Sequence, residues 1–248
     1  MNTVFLVGID DTDNKMSRGT GFRSRQLASE MNLAGFGKVL GIVRHQLLIH
    51  EDIGYTSSNS SYSIQVNCCN PEGLISFCRN FLKREGLSGS NTGFCVISES
   101  SVPEEVEEWG RRAKREILTM EEALSISKNC EILLEGVIGN HGGIIGAMAA
   151  VGLRKTGNDG RFIWQSGKQL KDLRGTMTVE ELKNGTQVDE IISKEGKVLD
   201  SKEMIDLTDW IRSVLINGKT FLIAERNLKK SGSYWKIADK EYIRKIGS

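Results

Sequence analysis

Thr3-Val4-Phe5-Leu6-Val7-Gly8-Ile9-Asp10-Asp11-Thr12-Asp13 passes, without a break, from apolar and β-branched side chains to three carboxylates. The apolar part has the length and composition of a buried strand that ends in a polar loop. Carboxylates this close repel one another unless a cation or a proton offsets them. Mg²⁺ binds through one or two carboxylates, with phosphate oxygens and water completing its shell. Asp10, Asp11 and Asp13 are therefore candidate ligands of a metal–nucleotide site. The other reading is an acidic turn in which Asp13 or Asn14 bonds to nearby backbone. The direct attachment to an apolar strand favours the metal.

Downstream, Ser17-Arg18-Gly19-Thr20-Gly21-Phe22-Arg23-Ser24-Arg25 puts glycines, hydroxyls and arginines at the start of a predicted helix. Backbone N–H groups and the helix dipole favour an anion there, and arginine forks match phosphate oxygens. Arg18, Gly19, Thr20, Gly21 and Arg23 are thus candidate phosphate contacts, although an ordinary helix cap would use similar residues. The order of a Walker A loop is missing. Gly139-Asn140-His141-Gly142-Gly143 repeats the arrangement between a predicted strand, Ile132 to Val137, and a buried helix from Ile144 to Leu153. Gly142 and Gly143 suit either an anion or close helix packing. His141, and Asp159 in the turn Gly157-Asn158-Asp159-Gly160-Arg161, are candidate groups to orient or deprotonate an acceptor. Arg44-His45-Gln46 with the loop Tyr55 to Ser61 would grip a substrate, or the loop is simply solvated.

The chain has 248 residues, long enough for one large or two small domains. Lys plus Arg number 33 against 32 Asp plus Glu, a net charge of +1, so any electrostatic site is local rather than a basic sheath. Hydrophobic residues at 39% and charged ones at 26% fit a soluble globular chain and not a disordered one. The 27 glycines and 2 prolines stand against roughly 17 and 12 at average usage. Glycine is needed where backbone bends tightly or approaches something closely. No uninterrupted apolar run is long enough for a membrane span, and the first residues lack the pattern of a signal peptide. A cytoplasmic setting is expected, with the 5 cysteines reduced, since none forms a C-x-x-C pair.

The blocks Gly8 to Asp13, the glycine-rich segment after it, the arginine and Asn-Ser loop, and Gly142-Gly143-Ile144-Ile145-Gly146-Ala147-Met148-Ala149-Ala150-Val151-Gly152 together resemble the N-terminal half of the archaeal tRNA-isoleucine 2-agmatinylcytidine synthetases. The resemblance covers about residues 3 to 165. It implies use of ATP and Mg²⁺ to activate a cytidine of tRNA by phosphorylation, with agmatine then displacing the phosphate. It also implies a kinase-like domain beside a ferredoxin-like one. Asp10, Asp11 and Asp13 match the family's acidic metal and nucleotide motif, Gly142 to Gly146 match its later glycine block, and Asp159 falls at a similar acidic turn. Gly21-Phe22-Arg23 stands where the family has a Cys-Thr-Thr run, and zinc-ribbon cysteines are missing from this sequence.

The expected fold is therefore α/β (α+β), a kinase-like α/β layer with ferredoxin-like elements and a small β-rich C-terminal appendage. Residues 1–165 would form the nucleotide-binding region and 166–248 the appendage, where turns are expected at Asn184-Gly185, Glu195-Gly196 and Asn217-Gly218. The segment Arg226 to Lys245 carries seven basic and two acidic residues among Tyr234, Trp235 and Tyr242, a mixture that suits a stabilising edge or nucleic-acid contact. The expected activity is that of an ATP-dependent phosphotransferase or ligase-like enzyme of tRNA processing, acting on a nucleoside, RNA or small-molecule acceptor. The alternative is a catalytically silent nucleotide- or RNA-binding module.

Overall fold

The computed structural model describes residues 2–54, 58–165, 167, 170–207, 210–228 and 234–248. Residues 55–57 of the polar loop and 229–233 of the basic C-terminal segment, both singled out above, lie outside the described residues. Contacts divide the chain into two compact units, Met1–Thr156 and Gly157–Ser248.

The first unit is built on β1 (Thr3–Asp10), α1 (Thr20–Leu33), β2 (Lys38–Gln46), β3 (Ser60–Cys68), α2 (Pro71–Arg84) and β4 (Gly93–Ser98). The strands lie in the order β4-β1-β3-β2, every neighbour antiparallel. This is the ferredoxin-like arrangement, two βαβ halves interleaved in one sheet. After α3 (Glu104–Arg112) and α4 (Met120–Asn129), β5 (Leu133–Gly136) extends the sheet beside β4, and α5 (Ile144–Thr156) closes the unit. The mixed α/β class is as expected.

Local chemistry accounts for these elements. Leu6, Val7 and Ile9 of β1 are fully buried, since both faces of the strand are covered. Gly8 faces α5 so closely that a Cβ there would stand 1.9 Å from the Ala147 carbonyl oxygen. Its pairing partner Ser63 shares that face, whereas the next pair, Ile9 and Tyr62, points to the opposite one, where Tyr62 meets Gly21 of α1. α2 starts with Asn70 accepting from the Gly73 N–H at 2.9 Å, has Pro71 in its first turn, and ends with Lys83 and Arg84. α5 is buried almost throughout, against β1, β3, β4 and α3. Gly152 serves the α3 contact, its Cβ position lying 1.9 Å from the Val106 carbonyl oxygen. β2 carries a bulge between Val39 and Gly41, and Leu47 to Ile49 lie beyond its end. Arg111 pairs with Glu107 at 3.0 Å as the spacing suggests, whereas Arg112 turns to Glu116 and Glu122.

The second unit contains β6 (Arg161–Gln165), β7 (Thr176–Thr178), α6 (Val179–Thr186), β8 (Glu190–Ser193), β9 (Met204–Asp206), β10 (Val214–Ile216), β11 (Lys219–Arg226), β12 (Tyr234–Ile237) and α7 (Lys240–Ile246). Its strands run β6-β10-β11-β12-β9-β7, with β8 parallel to β11. Leu182, Ile191, Ile205, Leu222 and Trp235 are central to its own core. Asn217 and Gly218, both at positive φ, turn β10 into β11 as expected. Asn184-Gly185 is not a turn but lies within α6, whose capping box joins Thr178 and Glu181. Arg226 stacks its guanidinium over Trp235 at 4.0 Å. Among the described residues no helix is long and apolar enough to cross a membrane. The cysteines are free thiols, with Cys68, Cys78 and Cys95 buried.

Candidate functional site

The C-terminal end of β1 opens into a cleft of about 350 Å³ within the first unit, a size suited to a small ligand. Asp10, Asp11 and Asp13 line it together with Gly19 and Thr20 at the start of α1 and Gly142, Gly143 and Gly146 at the start of α5. Sequence position alone keeps these blocks more than a hundred residues apart. The sheet brings them together because β1 is central and both helices begin at the same end of it.

Asp10 is half-buried, and its Oδ1 accepts from the Asp11 N–H at 2.8 Å. A Cβ at Gly146 would stand 1.8 Å from its Oδ2, so glycine is what lets the carboxyl group rest on the first turn of α5. Asp11 adopts φ 52°, the left-handed region that aspartate and asparagine visit more readily than other non-glycine residues. Its carbonyl accepts from the Asn91 N–H at 3.2 Å and from the Thr92 hydroxyl at 3.1 Å. Asp13 accepts from the Thr20 N–H at 3.1 Å and the Thr20 hydroxyl at 2.7 Å. Gly19 gives α1 no side-chain cap, and Asp13 takes that place from the preceding loop. The turn reading of Asn14 is also realised, since its Oδ1 accepts from the Met16 N–H at 3.0 Å.

Burial pushes the Asp10 carboxyl well above the usual carboxylate range; the Asp11 N–H opposes the rise and the charges of Asp11 and Asp13 add to it. Burial also raises Asp11, partly offset by a hydrogen bond from the Asn91 side chain and reinforced by Asp13. Asp52 and Glu116 line the cleft as well, and no Lys, Arg or His is among its described lining residues. Leu47, Ile53, Ile117, Leu118 and Ile145 supply an apolar wall.

No three carboxylate, imidazole or thiol groups converge at metal-binding spacing among the described residues, so there is no all-protein cage. Mg²⁺ beside a phosphate needs only one or two carboxylates. Asp10 and Asp11 are half-buried acids without an ion pair among the described residues, and that donor set fits a hard cation.

Other expected site residues lie elsewhere. Arg18 is exposed and stacks on Phe22 at 4.5 Å. Gly21 is buried against Tyr62. Arg23 pairs with Glu85 across α1 and α2 and donates to Gln26 at 2.8 Å. His141 is exposed at φ 71°, its ring over Gly136. Asp159 is buried in the second unit. None of these five is among the described residues that line the cleft. The N–H groups of Gly142 and Gly143 are committed to Asn140 Oδ1 at 2.9 Å and the Asn91 carbonyl at 2.7 Å, so α5 offers its dipole there rather than free donors. Asn59 and Ser60 do line the cleft, whereas Arg44 reaches it only through Ser58, at 2.9 Å. His45 is fully buried, with its Nε2 2.9 Å from the Ser63 hydroxyl. Asn91, Asp52, Glu116 and Tyr62 are signalled by no local pattern. The Ser88-Gly89-Ser90-Asn91 turn could draw notice only as a polar loop preceding a strand.

Fold and site together define a mixed α/β unit whose ferredoxin-like sheet carries an acidic strand end and two helix starts around one cleft. TiaS, an agmatidine synthetase of isoleucine tRNA, shares this fold: its apo crystal structure matches 60% of this chain and 35% of its own, at 22% identity and TM-score 0.52. Its complex with that tRNA and ATP matches at 22% identity and TM-score 0.54, covering 60% of this chain and 36% of that one. A tRNA fluorescent labeling enzyme matches at 24% identity and TM-score 0.54, over 60% and 36%. An uncharacterized protein of Methanocaldococcus jannaschii is 30% identical over 152 residues, 60% of this chain. The chain spans about half of that relative's length, 49%. No protein-family model matches the chain.

Proposed function

We propose that the first unit binds a magnesium–nucleotide and that the protein is an ATP-using enzyme of tRNA modification, activating an RNA, nucleoside or small-molecule acceptor. The observation that carries this reading is the convergence of Asp10, Asp11 and Asp13 with the starts of α1 and α5 on one cleft. The solved TiaS complex with tRNA and ATP supports it by fold.

Phosphoryl transfer asks chiefly for positioning and charge neutralisation. Bound Mg²⁺ supplies the neutralising charge on the phosphates. Asp10 and Asp11 would hold it, and Asp13, which caps α1, keeps Gly19 and Thr20 at the cleft. The dipoles of α1 and α5 steady the phosphate end. Leu47, Ile53 and Ile117 give the cleft an apolar surface that suits a base.

Replacing Asp11 with Asn keeps a residue at ease in the left-handed region, so the fold should hold while ATP turnover is abolished. Undiminished turnover in a folded Asp11→Asn protein contradicts the assignment. One observation favours a second reading, a nucleotide- or RNA-binding module without chemistry: neither His141 nor Asp159 lines the cleft. Calorimetry with Mg-ATP, followed by analysis for AMP, ADP, phosphate and pyrophosphate, separates the two. Binding without product selects the module.

A further inference from the structure

Tyr62 lines the cleft from β3 and is only 9% exposed, yet its hydroxyl has no hydrogen-bond partner among the described residues. A buried polar group left in that state costs free energy unless water or a ligand completes it. The place of the hydroxyl is set by α1. A Cβ at Gly21 would stand 2.9 Å from both Tyr62 Cε1 and the Tyr62 hydroxyl oxygen, so glycine in the first turn of α1 is what lets the tip of the ring lie there. That tip is therefore beside Gly19 and Thr20, which line the cleft with Asp10, Asp11 and Asp13.

Neighbouring donors are already spent. Thr20 gives both its N–H and its hydroxyl to Asp13, and Asn59 gives its side-chain amide to the Leu48 carbonyl at 2.7 Å. The Gly142 and Gly143 N–H groups are bonded to Asn140 and Asn91, and no Lys, Arg or His is among the described lining residues. A triphosphate has more oxygens than one cation covers, and the rest need donors. We propose that the Tyr62 hydroxyl is a phosphate-binding group of the nucleotide site, donating a hydrogen bond to a phosphate oxygen at the start of α1. This rests on the magnesium–nucleotide reading above. A phenol suits an acidic cleft. Lysine or arginine there would form ion pairs with Asp10 or Asp11 and withdraw them from the cation, whereas an O–H group donates to phosphate and brings no positive charge.

Tyr62→Phe removes the hydroxyl and keeps the ring on Gly21. Because that hydroxyl bonds to no described residue, the nucleotide-free variant should melt no lower than wild type. Loss of a hydrogen bond to a charged group should weaken calorimetric binding of Mg-ATP by about 10- to 100-fold. Phosphorus NMR of Mg-ATP at saturation should show at least one bound phosphate resonance at a different shift in the variant. Unchanged Mg-ATP affinity in Tyr62→Phe overturns the assignment. So does a weakened affinity with identical phosphate resonances, which would put the hydroxyl on another part of the nucleotide, and so does a lower melting temperature without nucleotide, which would make it a structural group. Absence of Mg-ATP binding by the wild-type protein overturns the nucleotide reading itself, and this inference with it.

Discussion

Asp10 places a carboxyl group on the first turn of α5 with no cationic side chain paired to it among the described residues. Burial raises its pKa, so the folded chain keeps that proton to higher pH than the unfolded chain does. Stability from this group therefore falls as pH rises from 3.8, the ordinary aspartate value, through the raised folded value. Its burial is therefore a net cost to stability at neutral pH, of the kind that functional sites often carry. Asp10→Asn, nearly isosteric, should raise the melting temperature by a few degrees near neutral pH in the absence of nucleotide, and the gain should shrink toward acid pH. Thermal unfolding followed across that range checks it; a variant less stable than wild type at neutral pH contradicts it. Gly146→Ala tests the same contact from the other side. Its Cβ would stand 1.8 Å from Asp10 Oδ2, so we expect a loss of about 1–3 kcal/mol in denaturant unfolding and a displaced carboxylate.

The β1–α5 contact is the element-scale counterpart. A methyl group at Gly8 would push against the rigid Ala147 carbonyl of a buried helix and against Val151 Cγ2 at 3.0 Å. Gly8→Ala should cost about 1–3 kcal/mol or more, measurable as a lower urea midpoint; a midpoint like that of wild type would mean that the helix can shift freely. The elements that sequence reasoning identifies are those with local signals. β1 is an apolar run, and α5 is a small-residue stretch after glycines. α4 escapes such reading because its Thr119 cap opens a short, weakly patterned helix. α6 is mistaken because Asn184-Gly185 looks like a turn until the Thr178 and Glu181 cap is noticed. For the site, the aspartates, Gly19, Thr20, Gly142 and Gly143 are legible as consecutive blocks beside predicted helix starts. Asn91, Asp52 and Glu116 arrive through tertiary contacts, and no spacing along the chain announces them. The side of a helix on which Arg23 falls, toward Glu85, is likewise decided by the neighbour and not by the motif.

At the scale of the molecule, a net charge of +1 conceals a cleft lined by Asp10, Asp11, Asp13, Asp52 and Glu116 with no described basic residue. Each of the two units also has its own apolar core. Residues 1–156 expressed alone should therefore unfold in one cooperative transition; a broad, non-cooperative melt would show that their core depends on the remaining residues. The excess of glycine finds its reason mainly in close approach, at Gly8, Gly146 and Gly152, and less in phosphate loops than the sequence suggests. An acidic cleft repels free ATP, whose phosphates carry like charge, and admits it with a divalent cation. The most direct test is a calorimetric titration of the full chain with ATP, with Mg²⁺ present and then with Mg²⁺ removed by EDTA. Saturable binding with Mg²⁺ that is lost in EDTA and absent in Asp11→Asn is the predicted result. Equal binding in EDTA, or no binding in either condition, would contradict the account.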